Sequence, residues 1–113
     1  GKSFPGFSPV GPVLVTPDEL DNPHDLELGC DVNGEQMQKG RTSEMIFSVP
    51  QLIAHISAIT PLLPGDLIFT GTPAGVGLGR TPQRFLAAGD VLRSYIGGIG
   101  ELEQRFVAPG RRA

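Results

Sequence analysis

The sequence predicts a β-rich α+β fold with one main helix over about residues 49–60. Sixteen glycines and eleven prolines among 113 residues, with one tyrosine and no tryptophan, are typical of a turn-rich β fold. An apolar alternation runs into Asn33-Gly34, the strongest short hairpin signal. Only one stretch has a long apolar pattern with helical spacing. The length predicts a single domain.

Charge and cysteine content exclude several classes of protein. The net charge of −3 gives no electrostatic basis for binding nucleic acid. No apolar run approaches the roughly 18 residues that a membrane span needs. The single cysteine, Cys30, cannot form an internal disulfide, so we expect a cytoplasmic location. Because Cys30 lies within an apolar alternation, we interpret it as a buried, unreactive thiol.

The first elements are irregular. Proline and glycine interrupt residues 2–12, so we expect an extended arm that Phe4 and Phe7 anchor to the core. Residues 13–15 predict a strand, and Thr16 is the expected N-cap of one helical turn.

A predicted hairpin follows a polar loop. Asp and His residues in the loop, residues 21–25, are a weak candidate for a metal site because nothing orders their side chains onto one face. The strand of residues 26–32 then turns at Asn33-Gly34 and returns over residues 35–39.

The helix of residues 49–60 has a clear start. Ser48 and Gln51 have the spacing of a capping box. The apolar positions that follow form one stripe: Leu52, Ile53, Ile56 and Ile59. His55 projects away from most of the stripe, so we interpret it as a surface residue. Two prolines beyond residue 60 end the helix.

A glycine-rich segment, residues 70–78, follows a predicted buried strand at residues 67–69. Its backbone N–H groups and threonine hydroxyls are arranged either as a concave anion site or as a wide bulge loop. It has neither the dinucleotide-binding spacing nor a P-loop lysine. Beyond it, residues 80–85 predict a polar surface insert.

The remaining residues complete the sheet. Asp66 and Asp90 each follow a glycine in a turn, so both are expected to cap turns rather than to form a catalytic pair. A final hairpin is predicted from residues 91–96 and 101–107.

Six blocks, in this order, resemble the C-terminal part of the fumarylacetoacetate hydrolase family. They are Gly1-Lys2-Ser3-Phe4, Pro9-Val10-Gly11-Pro12, Val32-Asn33-Gly34-Glu35, Met45-Ile46-Phe47-Ser48, Pro64-Gly65-Asp66 and the segment from Thr70 to Gly77. The resemblance implies a mixed β-roll or barrel, usually as a homodimer. It also implies an enzyme that uses Mg²⁺ or Mn²⁺ to act on 2-oxo or 1,3-diketo acids through an enolate, by C–C bond hydrolysis, isomerisation or decarboxylation.

The resemblance also implies roles for individual residues. Lys2 matches the catalytic lysine of the family, and Thr72 matches a substrate-binding threonine whose approach Gly71 shapes. Residues 38–47 match only framework around the pocket. The insert at residues 80–85 resembles the branch of the family that includes hydrolases of diketo-deoxy sugar acids.

No metal ligand is expected in this chain. The family holds its metal by a Glu-x-Glu pair and an aspartate that precede the lysine, so Asp31, Glu35 and Glu44 are not expected to replace them. We therefore expect residues 1–113 to be the C-terminal part of one catalytic domain whose upstream part is absent, inactive alone. The alternative is an inactive module that dimerises or binds small carboxylates.

Overall fold

A computed structural model describes residues 4–108 and residue 110. These residues form a β-rich α+β fold with one main helix, which confirms the predicted class. The principal elements are the strands β1 (Glu27–Val32), β2 (Glu35–Arg41), β3 (Val91–Ile96) and β4 (Gly100–Arg105) and the helix α1 (Val49–Ser57). Short 3₁₀ turns occur at Pro17–Glu19, Thr42–Glu44 and Gly77–Gly79. The first of these is the helical turn predicted after Thr16.

The four strands form one antiparallel sheet in the order β2-β1-β3-β4. Both predicted hairpins are confirmed. The first turns at Asn33 (φ 53°) and Gly34 (φ 82°), and positive φ at both positions is what a type I′ turn requires. That turn fixes the start of the register, with Val32 opposite Glu35.

Asp90 ties this turn to the start of β3. Its Oδ1 accepts a hydrogen bond from the Asn33 side-chain amide at 2.8 Å, and the Val91 N–H donates to Asn33 Oδ1 at 2.9 Å. The Ala87 N–H and Arg84 guanidinium also donate to Asp90, which is only 7% exposed. These hydrogen bonds lower the pKa of Asp90. The largest effect comes from the Ala87 N–H, followed by those of Asn33 and Arg84.

The prediction that Asp66 and Asp90 cap turns is confirmed. In each case the N–H three residues earlier donates to the carboxylate at 2.8 Å, and the aspartate N–H donates back to the carbonyl of that residue at 3.1 Å. The same local chemistry therefore closes both turns.

Helix α1 begins at the predicted capping box. The Ser48 N–H donates to Gln51 Oε1 at 2.8 Å. The helix ends at Ser57, and the next residues form a turn in which Ile59 and Thr60 N–H groups both donate to the Ile56 carbonyl. No helix among the described residues is long and apolar enough to cross a membrane.

Two predicted strands are wrong. Residues 13–15 and 67–69 are outside the sheet, and Leu14 and Phe69 are 92% and 68% exposed. A strand forms by pairing with a second strand, and the sheet that the described residues form consists of β1 to β4. Phe4 and Phe7 are also exposed and contact each other, with ring centroids 5.4 Å apart, rather than anchoring the arm to a core.

The apolar core is small for a chain of this length. Among the described residues, Val32 is the one buried apolar side chain, at 6% exposure. The accessible surface is 8998 Å², whereas a compact protein of this mass exposes about 5,900 Å². The Cα radius of gyration is 16.0 Å, against about 13 Å for a compact domain. Much apolar surface of the described residues is therefore exposed.

Candidate functional site

Thr72 and Gly71 lie in a segment that packs along β2. We call this segment, residues 70–79, the glycine loop. The Gln38 side-chain amide, which projects from β2, donates to Thr72 Oγ1 at 2.8 Å and to the Pro73 carbonyl at 2.6 Å. Because residues 67–69 form no strand, this contact with β2, and not the end of a preceding strand, holds Thr72 in place.

A β-bulge in β2 places Gln38 against the loop. Cys30 pairs with Gln38 and Asp31 with Gln36, so Met37 is the extra residue. Counting back from the two-residue turn without a bulge would pair Cys30 with Met37. No sequence signal predicted the bulge. The resemblance to the family placed Gln38 only in the framework around the pocket.

Arg80 uses the carbonyl that the bulge makes available. Its Nη2 donates to the Met37 carbonyl at 2.7 Å, and its Nε donates to the Gly75 carbonyl at 3.1 Å. One guanidinium therefore joins β2 to the glycine loop. The prediction that residues 80–85 form a surface insert is wrong for Arg80 and Arg84, which are half-buried and hold neighbouring segments together.

The glycines of the loop have different roles. A Cβ on Gly75 would lie 2.1 Å from the Met37 carbonyl oxygen, and one on Gly77 would lie 1.8 Å from that of Arg84. These two positions need glycine because backbones approach closely there. A Cβ on Gly71 (φ 109°) would have no atom within 4 Å, so the surroundings of Gly71 are open.

Gly71 and Thr72 line a cavity of about 560 Å³. Its wall includes residues of the glycine loop, β2 and the segment before α1: Thr70, Gly71, Thr72, Pro73, Ala74, Lys39, Arg41, Ile46 and Phe47. The cations have acidic partners, since Lys39 lies 3.2 Å from Glu27 and Arg41 lies 2.6 Å from Asp25. The cavity is large enough for a small organic acid.

Thr72 also lines a smaller cavity of about 280 Å³, together with Cys30 and Gln38. Burial raises the pKa of the Cys30 thiol, which disfavours the thiolate. The thiol is half-buried and donates to Gln38 Oε1 at a sulfur–oxygen distance of 3.5 Å. This environment agrees with the interpretation of Cys30 as unreactive.

The structure brings Gly71 and Thr72 together at one cavity wall. Lys2, the third predicted site residue, lies outside the described residues. Its catalytic role stays a prediction.

The described residues do not offer a metal site, since no three His, Cys, Asp or Glu side chains among them are grouped to hold an ion. Asp31 pairs with Arg93 at 3.2 Å, and Glu35 lies 3.9 Å from Arg80. Glu44 accepts a hydrogen bond from the Arg41 N–H at 2.9 Å.

The polar loop of residues 21–25 has structural contacts. The Asp25 carboxylate accepts hydrogen bonds from the Arg41 guanidinium and the Ser43 hydroxyl, both at 2.6 Å. Both bonds lower the pKa of Asp25, the one from Arg41 more strongly. The His24 N–H donates to Asn22 Oδ1. His55 is exposed, as predicted.

Comparison with known proteins gives a consistent result. Residues 1–107 match the model of the fumarylacetoacetate (FAA) hydrolase C-terminal family. The chain is 51% identical over 106 residues to 2,4-didehydro-3-deoxy-L-rhamnonate hydrolase of Sphingomonas sp. (strain SKA58), covering 93% of this chain and 37% of the relative. It is 45% identical over 107 residues to the mitochondrial oxaloacetate tautomerase FAHD2A of Homo sapiens, covering 95% and 34%.

The fold is also similar to solved structures. One is maleylpyruvate hydrolase from Sphingobium sp. SYK-6 in complex with manganese (II) ion and pyruvate, with a TM-score of 0.80 and 38% identity, covering 89% of this chain and 36% of that one. The chain thus spans little more than a third of the length of these relatives.

Proposed function

Because the chain belongs to the fumarylacetoacetate hydrolase family, we propose that it forms the C-terminal part of a divalent-metal-dependent enzyme that acts on 2-oxo or 1,3-diketo acids. The relatives are longer, and the described residues expose much apolar surface. Both facts support a role as part of a larger unit. The term full-length protein denotes this chain together with the upstream part that its relatives have.

The observation that carries the proposal is the position of Thr72 at the wall of the cavity, fixed by Gln38. A threonine hydroxyl there can donate a hydrogen bond to a substrate carboxylate, and a hydrogen bond to an ionised group is among the stronger ones. Gly71 leaves room beside it for the substrate to approach the backbone.

Lys2 is proposed to stabilise the oxyanion of the enolate or to transfer a proton to it. The divalent ion, Mg²⁺ or Mn²⁺, is proposed to bind outside this chain, and we assign it no ligand here. When bound, such an ion acts as a Lewis acid toward a 2-oxo carboxylate. The manganese and pyruvate complex of maleylpyruvate hydrolase supports this choice of cofactor and ligand class.

The substrate class follows from chemistry that the relatives' substrates share. Oxaloacetate and maleylpyruvate are 2-oxo acids, and 2,4-didehydro-3-deoxy-L-rhamnonate is a sugar-derived diketo acid. The last agrees with the resemblance of residues 80–85 to the sugar-acid branch, so diketo sugar acids are the first substrates to test. We also propose that the full-length protein is a homodimer and that it is located in the cytoplasm.

The test is calorimetric titration of oxalate, a mimic of enolpyruvate, into the full-length protein with and without Mg²⁺ or Mn²⁺. We expect metal-dependent binding that weakens at least tenfold, about 1.4 kcal/mol, in Thr72→Val and in Lys2→Ala. Thr60→Val, an exposed position after α1, is the matched control and should bind like the wild type.

The outcomes distinguish the two function classes. If oxalate binding is unchanged by the metal and by both site substitutions, the enzyme proposal is contradicted. That result would favour a module that dimerises or binds small carboxylates. This chain alone should show no turnover of 2-oxo or diketo acids.

A further inference from the structure

The bulge in β2 gives Gln38 a specific environment. Consecutive residues of a strand face opposite sides of a sheet, and paired residues share a face. Because Asp31 pairs with Gln36 and Cys30 with Gln38, these two glutamines face opposite sides, although they are two positions apart. The bulge therefore turns Gln38 toward the glycine loop and leaves Gln36 on the other face.

The orientation of the Gln38 amide is determined by its partners. The Pro73 carbonyl, 2.6 Å away, can only accept a hydrogen bond, so the NH₂ group must point toward it. The Cys30 thiol donates to the amide oxygen on the opposite side. Both N–H bonds of the amide are then used, one on Pro73 and the other on Thr72 Oγ1 at 2.8 Å.

This arrangement determines what the Thr72 hydroxyl can do. A hydroxyl has one proton to donate, and its oxygen can accept. The Gln38 amide donates to the Thr72 oxygen, so the Thr72 hydroxyl can still donate its own proton to another acceptor. Among the described residues, the hydrogen bond found at the Thr72 hydroxyl is the one that it accepts from Gln38.

We propose that Gln38 is a positioning residue that fixes the Thr72 hydroxyl as a hydrogen-bond donor to the substrate carboxylate. This inference rests on the proposed function. Gln38 acts through Thr72 and has no role in the chemical step itself. The arrangement favours a ligand that accepts the hydroxyl proton, such as a carboxylate, because Gln38 already donates to one of the two lone pairs of the Thr72 oxygen.

The test uses two variants of similar shape in the full-length protein, Gln38→Met and Gln38→Glu, with oxalate and Mg²⁺ as the probe. The methionine variant removes both donors, and we expect binding weakened about 5- to 30-fold, the loss of one aligned hydrogen bond to an ion. In the glutamate variant the Thr72 proton turns to the new carboxylate, so we expect a larger loss, about 30-fold or more at pH 7.5. Relative to the wild type at the same pH, this loss should partly recover at pH 5.5 as the carboxyl group takes up a proton.

Two further measurements separate positioning from a general structural role. In a Thr72→Val background, either Gln38 substitution should change oxalate affinity less than about twofold, because coupled residues are not additive. Gln36→Met, on the other face of the same strand, is the matched control and should bind like the wild type. Thermal unfolding of each variant reports whether it is folded.

The results also separate this inference from the proposed function. Wild-type binding that weakens in Thr72→Val but not in either Gln38 variant would overturn the role of Gln38 alone. Additive losses in the double variants, or equal losses for methionine and glutamate at every pH, would overturn it as well. Absence of metal-dependent oxalate binding by the wild type would overturn the proposed function and the inference with it.

Discussion

Replacing Gly75 by alanine tests how the glycine loop is held against β2. The new Cβ would lie 2.1 Å from the Met37 carbonyl oxygen. Real Cβ contacts essentially never fall below 3.0 Å, so the two backbones must separate by about 0.9 Å. The Arg80 bond to Met37, 2.7 Å long, and the two Gln38 bonds cross the same interface and would be stretched.

The loss of stability expected for Gly75→Ala has two contributions. Alanine at φ 105° has a backbone cost of about 1–2 kcal/mol. Forcing an extra methyl group into a packed contact costs about 1–3 kcal/mol more. Gly65→Ala is the matched control, because Gly65 has φ 94° but no atom within 4 Å of its Cβ position. Gly65→Ala should therefore lower the free energy of unfolding by the backbone cost alone.

The assay is urea unfolding of the full-length protein, combined with oxalate titration. We expect Gly75→Ala to lower the free energy of unfolding by about 1–3 kcal/mol more than Gly65→Ala does, and to weaken oxalate binding because Thr72 moves. If the two variants lose the same stability and both bind oxalate like the wild type, the glycine loop is not seated on β2 as described, and the roles assigned to Thr72 and Gln38 fail with it.

Two further predictions concern the contacts around the site. Arg80→Met removes the hydrogen bonds to Met37 and Gly75 while keeping an apolar stem; it should lower the free energy of unfolding by about 1–3 kcal/mol in urea, whereas Arg105→Met, at an exposed position of β4, should change it little. Asp90→Asn tests the lowered pKa of Asp90. The native pKa lies below its ordinary value of 3.8, so the unfolded state binds more protons between the two values and stability rises with pH there. The stabilisation by the Asp90 carboxylate should be complete above about pH 5 and disappear as the pH falls through 3.8 toward the native pKa. Asp90→Asn should therefore be less stable than the wild type at pH 7, with a difference that shrinks as the pH falls below 3.8; a difference that stays constant as the pH falls below 3.8 would contradict the assignment.

Local chemistry in the sequence was enough to predict several elements. The type I′ turn requires positive φ at two adjacent positions, and Asn33-Gly34 supplies residues that tolerate it. The Ser48 capping box and the two aspartate-capped turns depend on groups only three residues apart. Such contacts form wherever the local residues allow them, so the pattern alone identifies them.

Contacts between distant segments decided the rest. Residues 13–15 and 67–69 have the composition of strands, but strand formation depends on a partner that composition does not supply. The bulge at Met37 is invisible in the sequence, yet it reverses the face of Gln38 and makes the Met37 carbonyl available to Arg80. Arg80 was expected at the surface because it belongs to a polar insert.

The candidate site shows the same division. The order of the motifs along the chain was sufficient to recognise the family and to select Lys2, Gly71 and Thr72 as the site residues to test. The sequence could not show that Gln38, 34 positions before Thr72, donates to its hydroxyl. Residue types set which hydrogen bonds a side chain can make, but the tertiary structure decides which partner comes within about 3 Å. For Thr72 that partner is Gln38, and we propose that it fixes the direction in which the Thr72 hydroxyl donates.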